Sequence, residues 1–172
     1  MNGLIFALCA ALPTLGMSNY MNKKACKYTP QIVESSKNHR IEPEIMIGLI
    51  FVESSFHRKV ESSAGACGLT QIIPKYTGKI TKKYSCDYLK RNPLESIDAG
   101  AKILRWWIDW HTENQLKKKY AKEDILKRAL CSYNAGFRCS GKRPSKGGMR
   151  YSLKVLKKAK LIKIQKKSYL SN

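Results

Sequence analysis

The chain has 172 residues, 43% of them hydrophobic, with Trp, Tyr and Phe all present, so it buries one core, is too short for two full domains and is too apolar for wholesale disorder. A formal net charge of +21 points to polyanionic partners: nucleic acid, anionic lipid headgroups or the acidic polymers of a bacterial envelope. The six cysteines include no C-x-x-C pair and no paired histidine nearby, which speaks against a zinc site.

The chain opens on an apolar run from Leu4 to Leu12, followed by Pro13 and the small-x-small pattern Gly16-Met17-Ser18. That run has the length of the apolar part of a secretory signal and is too short to span a bilayer. Residues 1–18 are therefore expected to direct export, although Met1-Asn2-Gly3 lacks the usual basic start; a buried first helix or a membrane-retained signal is the alternative. Removal of the segment would take Cys9 with it. Cys26, Cys67, Cys86, Cys131 and Cys139 would then form at most two disulfides and leave one free thiol, with plain buried thiols as the alternative.

Pro30 to Asn38 reads as a short helix with Ile32 and Val33 inward and Glu34 on its polar side. Pro43 suits a first helical turn, and the following stretch from Glu44 to Val52 is apolar nearly all round, which means burial. Glu53 stands at the C-terminal end of that helix. From His57 to Gly78 the residues are those of a loop, with at most a short helical turn near Tyr76, and Lys83 to Tyr88 has the composition of a small β-hairpin. Asn92-Pro93 opens a helix in which Ile97, Ala101, Leu104 and Ile108 recur at helical spacing, with Trp106, Trp107 and Trp110 read as core. Glu123 to Tyr133 is another helix, stopped by Gly136.

From Ile125 to the end, 48 residues hold 14 Lys and Arg and no Asp or Glu, and Tyr151, Val155, Ala159 and Ile162 form a narrow apolar stripe, so a basic amphipathic helix closes the chain. The fold class is mainly α. Three units are expected: 1–18 as the apolar leader, 19–151 as the functional domain and 152–172 as the basic tail.

The tetrapeptide Val-Glu-Ser-Ser occurs three times, around Glu34, Glu53 and Glu61, at offsets that share no period, so it is not a structural repeat. Glu34 and Glu61 read as solvated. Glu53 differs, because burial and the negative end of its helix would both raise its pKa, and a carboxyl kept protonated near neutral pH is what a general acid needs; the alternative on these features alone is that the helix ends at Val52 and Glu53 points to water.

Its surroundings carry a family signature. Glu53-Ser54, then Ser62, then Gly65-Ala66-Cys67-Gly68-Leu69-Thr70-Gln71-Ile72-Ile73-Pro74 resembles the pattern of the soluble lytic transglycosylases, a lysozyme-like family. "NPLESIDAGAKIL" and "CSYNAG" are similar to two further blocks of that family, in the same order, and Tyr151 matches more loosely a tyrosine on a C-terminal helix. The resemblance spans about Pro43 to Gly136 and implies a lysozyme-like helical domain with a cleft, acting on peptidoglycan glycan strands without cofactor or metal. It implies Glu53 as the single catalytic acid/base. It further implies Ser62 and Gln71 hydrogen-bonding sugar or Glu53, Tyr133 orienting Glu53, Asn134 binding substrate or bracing the loop, and Gly65, Ala66 and Gly68 letting the backbone approach the sugar.

The sequence departs from the family where Thr70 stands in place of a common Met, and where Gly147-Gly148-Met149-Arg150 offers no acid before Tyr151. Two alternatives remain: a hydrolase of the goose-type lysozyme kind, and a cationic envelope-binding protein without catalysis. The expected partners are peptidoglycan, with anionic envelope polymers or lipid on the basic tail; nucleic acid is not expected, because no stacking or reading motif accompanies the charge. A monomer in the periplasm or cell envelope is the expected state, with a phage lysin or virion-borne enzyme as another setting.

Overall fold

The structure, a computed structural model, describes residues 3–118 and 125–170. Its described elements are almost all helical. Helix α1 (Gly3–Ala11) runs into a 3₁₀ turn (Leu12–Leu15), followed by α2 (Asn19–Asn38), α3 (Pro43–Ser54), the short α4 (Pro74–Thr77) and α5 (Cys86–Arg91), then α6 (Pro93–Lys118), α7 (Ile125–Ala135), a second 3₁₀ turn (Gly136–Cys139) and α8 (Lys146–Leu170). The expected start of α7 at Glu123 lies outside the described residues.

Helix α3 is the hub. Every residue from Glu44 to Ile50 is buried, as an all-round apolar helix requires. One side meets α8, whose stripe of Tyr151, Ser152, Val155, Ala159 and Ile162 is buried in turn. Between the two helices sits Gly48, where an added Cβ would lie 2.7 Å from the Val155 carbonyl oxygen and 3.0 Å from the Ala159 nitrogen.

Three expectations are altered. Helix α2 begins at Asn19 and passes straight through Pro30, because a stripe of Met21, Ala25, Thr29 and Ile32 is buried along it and compensates the lost backbone donor. No strand pairs Lys83 with Tyr88: Ser85 instead caps α5 by accepting from the Tyr88 N–H at 3.1 Å, and Tyr84 stacks on Tyr88 with ring centroids 5.4 Å apart. Among the described residues, β-pairing is confined to isolated bridges, Glu61 with Cys67 and Cys67 with Ile72.

The cysteines are the third. All six pair, as Cys9–Cys26, Cys67–Cys86 and Cys131–Cys139, and no free cysteine remains. In this arrangement Leu8, Ala11, Leu12 and Leu15 belong to the main core, α1 and the turn after it pack on α8, and Cys9 is tied to α2. The packing is thus continuous across residue 18, and 151/152 falls inside α8. No helix among the described residues is long and apolar enough to cross a membrane.

Candidate active site

Glu53 is placed by the way α3 ends. Ser55 and the fully buried Phe56 both adopt left-handed backbone, φ 48° and 64°, which turns the chain sharply after Glu53 and drops the Phe56 ring into the core. Non-glycine residues in that region carry strain, here offset by burial of the ring. Ser54, itself buried, donates through Oγ to the Leu69 carbonyl at 2.8 Å, fastening the helix end to the loop 57–73.

Glu53 itself is half-buried, and its carboxyl is pushed up to about 7 by burial, with a hydrogen bond from Tyr151 pulling the other way. The Tyr151 hydroxyl donates to Glu53 Oε1 at 2.6 Å. Burial first, and the Glu53 charge second, hold the Tyr133 and Tyr151 phenols well above their ordinary value, so both are neutral donors near neutral pH.

Of the two tyrosines, the one expected to orient Glu53 has a different partner: Tyr133 donates to the Thr70 carbonyl at 2.8 Å. Tyr133 therefore braces the loop, while Tyr151 holds the carboxyl. A buried phenol on an otherwise apolar stripe requires a polar partner, and that is the signal in the sequence that singles out Tyr151.

The loop residues are occupied with one another. Ser62 Oγ accepts from the Ala66 N–H at 3.1 Å, and Gln71 donates from Nε2 to the Val60 and Gly68 carbonyls, both at 3.0 Å, so neither side chain is bonded to Glu53. Gly65 and Gly68 both take φ +78°, which only glycine adopts readily. The tight side of Gly68 faces protein, because an added Cβ would lie 2.8 Å from Ser96 Oγ; beside Gly65 the space is open. Asn134 is exposed at the end of α7.

Thr70 is fully buried and donates from Oγ1 to the Ser96 carbonyl at 2.6 Å, so its methyl and hydroxyl anchor the loop to α6 and do not face outward as a cleft wall. The Cys67–Cys86 disulfide joins the same loop to α5. Glu61 is exposed and pairs with Lys90 at 2.7 Å, and Glu34, also exposed, lines a separate cavity of about 430 Å³ between α2 and α6. Only one of the three Val-Glu-Ser-Ser glutamates is thus held in a desolvated, hydrogen-bonded setting.

Comparison with known proteins places this geometry. The family model described as Transglycosylase SLT domain matches residues 30–150. The chain belongs to that family. The SLT match takes in Glu53, the loop and Tyr133, and it stops one residue short of Tyr151; α1, the first half of α2 and most of α8 lie outside it.

Curated relatives of this SLT chain include two proteins named membrane-bound lytic murein transglycosylase C. The one from Glaesserella parasuis is 29% identical over 130 residues, covering 70% of this chain and 34% of the relative; the one from Actinobacillus pleuropneumoniae is 30% identical, covering 70% and 33%. The chain thus spans about a third of the length of these relatives. A solved structure of an inactive mutant of lytic transglycosylase Slt from Pseudomonas aeruginosa superposes with a TM-score of 0.62 at 21% identity, covering 77% of this chain and 23% of that one, which establishes a shared lysozyme-like fold.

Proposed function

We propose that this chain is a peptidoglycan lytic transglycosylase, cutting the bond between N-acetylmuramic acid and N-acetylglucosamine with Glu53 as its one acid/base. The observation that carries the reading is the Glu53 carboxyl, raised to about 7 by burial and held by Tyr151 at the mouth of the SLT loop. A group with that proton affinity exists in both forms near neutral pH, as a residue that must donate and then accept requires. Among the described residues the shift is set by burial against the Tyr151 hydrogen bond, with no second carboxylate contributing, which favours a one-carboxyl mechanism over the paired acids of most glycosidases.

In this mechanism protonated Glu53 donates to the glycosidic oxygen as its bond to the sugar carbon breaks. The substrate's own N-acetyl oxygen stabilises the cationic carbon. Ionised Glu53 then takes the proton of the C6 hydroxyl, whose oxygen bonds to that carbon, closing a 1,6-anhydro ring and restoring the acid without water. Ser62, Gly65, Ala66, Gln71 and Asn134 border the substrate in this reading, and Tyr133 keeps their loop in place. Three disulfides suit an oxidising compartment, so the setting is the cell envelope. The exposed lysines of α8, among them Lys154, Lys157 and Lys160, dock the protein on anionic envelope polymers or lipid, an attraction that weakens with salt because exposed charges are screened within ~8 Å at physiological ionic strength.

Digestion of purified peptidoglycan by the wild type and by Glu53→Gln, with mass spectrometry of the soluble products, tests the reading. Anhydro-ended fragments absent from the mutant digest are expected. Reducing ends lost in the mutant would make the protein a hydrolase with the same acid, and activity that survives in the mutant would remove Glu53 from the chemistry.

A further inference from the structure

Helices α3 and α8 run antiparallel and touch at three levels. At one end Tyr151 meets Glu53; in the middle Gly48 meets the backbone of Val155 and Ala159; at the other end Lys163 pairs with Glu42 at 2.7 Å and Lys166 pairs with Glu44. Glu44 is only 2% exposed, so its ion pair is shielded from water and screened little by salt.

The middle level decides the separation. An added Cβ at Gly48 would sit 2.7 Å from a carbonyl oxygen and 3.0 Å from a backbone nitrogen, and neither atom can rotate away as a side-chain tip does. Any side chain there must push α8 outward as a body. Glycine costs an interior helix position about 1 kcal/mol relative to alanine. The close approach accounts for it at this position. Val155 lies one turn of α8 beyond Tyr151, so displacement at Gly48 is passed to the phenol: opening the 2.7 Å approach to an ordinary contact of about 3.4 Å would stretch the 2.6 Å bond to about 3.3 Å and weaken it.

We infer that Gly48 is a positioning residue for Glu53: having no side chain, it seats α8 at the separation at which the Tyr151 hydroxyl reaches the Glu53 carboxyl, while the Glu42–Lys163 and Glu44–Lys166 pairs hold the register. The inference rests on Glu53 being the acid/base, and it goes beyond the family match, because Val155, Ala159, Lys163 and Lys166 all lie after residue 150. It also gives the basic C-terminal helix a part inside the site in addition to any docking role.

The test is a titration of the Glu53 carboxyl by NMR in protein carrying ¹³C-labelled glutamate, run on wild type, Gly48→Ala, Tyr151→Phe and the double variant, alongside pH–rate profiles on peptidoglycan. Tyr151 donates to the ionised carboxyl, so losing it raises the Glu53 midpoint, by about one pH unit. Gly48→Ala is expected to raise the midpoint and the alkaline limb of kcat/KM together, and the double variant is expected to move neither further than Tyr151→Phe alone. A folded Gly48→Ala protein with the wild-type midpoint, or a double variant whose shift is the sum of the two single ones, overturns the proposal. Should Gly48→Ala give no folded protein, the neutral pair Glu44→Gln with Lys166→Met is measured in its place; a raised midpoint supports the proposal and an unchanged one overturns it. Because the midpoint is read from the carboxyl itself, a wild type whose cleavage of peptidoglycan does not depend on Glu53 refutes the catalytic reading while leaving the seating of α8 open to this measurement.

Discussion

The Tyr151 hydroxyl donates to Glu53 Oε1 at 2.6 Å across 98 residues of sequence. One bond therefore joins the end of α3, the buried hub of the core, to the first turns of α8. Through it the acid/base proposed above depends on how well the C-terminal helix is seated.

Two tyrosines near Glu53 are expected to respond differently to loss of the hydroxyl. Tyr151→Phe should raise the alkaline limb of the pH–rate profile and lower kcat about tenfold, the equivalent of about 1.4 kcal/mol. Tyr133→Phe removes a bond to the Thr70 carbonyl and should cost about 1 kcal/mol of stability with the limb unmoved. A limb that moved in Tyr133→Phe and stayed in Tyr151→Phe would reverse their assigned roles.

Glu53→Gln should stabilise the protein, and only on the alkaline side. The folded pKa of about 7 lies above the ordinary 4.5. Below 4.5 the carboxyl is protonated folded or unfolded and burial carries no ionisation penalty. As pH rises towards 7 the unfolded chain loses its proton first, so the wild type loses stability across that window, and above it the full penalty persists. Thermal melts should show the mutant more stable by on the order of 1–3 kcal/mol above pH 7, with little difference below 4.5. An equal gain at both ends would point to a cause other than ionisation.

The Cys67–Cys86 bond anchors the loop that Ser54, Thr70 and Tyr133 also hold. Replacing both cysteines by serine should cost about 3 kcal/mol, the usual effect of opening a loop of this length. Amide exchange at Leu69 and Thr70 should rise with it. Unchanged exchange at those two residues would show that the hydrogen bonds alone keep the loop.

A chain starting at Asn19 would lack Leu8, Leu12 and Leu15, all in the core, and would leave Cys26 without its partner. Loss of at least about 5 kcal/mol is expected from the apolar burial alone. Thermal melting and a thiol titration check both consequences together. A truncated chain that melts with the full-length protein would mean that the first helix adds nothing to the core and is free to act as a leader.

Much of the site is legible in the order of the residues. The Pro43 start, the apolar run and the polar residue at its end put Glu53 at the edge of a buried helix, since helix periodicity and burial are properties of neighbouring residues. The signature from Ser62 to Pro74 is legible for the same reason, its turns being set by glycines and short side-chain bonds within the loop. The apolar stripe of α8 is legible too, though its burial against α3 is not. Local signals mislead where packing overrules them: Pro30 reads as a helix start and lies inside one, and Lys83 to Tyr88 has the residues of a strand pair but leads into a capped helix.

Alone, the sequence determined most of the helices, the loop signature, the excess of positive charge and the one glutamate worth singling out, because each depends on residues a few positions apart. Which tyrosine holds Glu53, how the six cysteines pair and that Thr70 anchors to α6 were decided by tertiary packing. Apart from Cys131–Cys139, those contacts join distant segments, and their distances are set by how closely the helices pack, above all where Gly48 lets α8 come down onto α3.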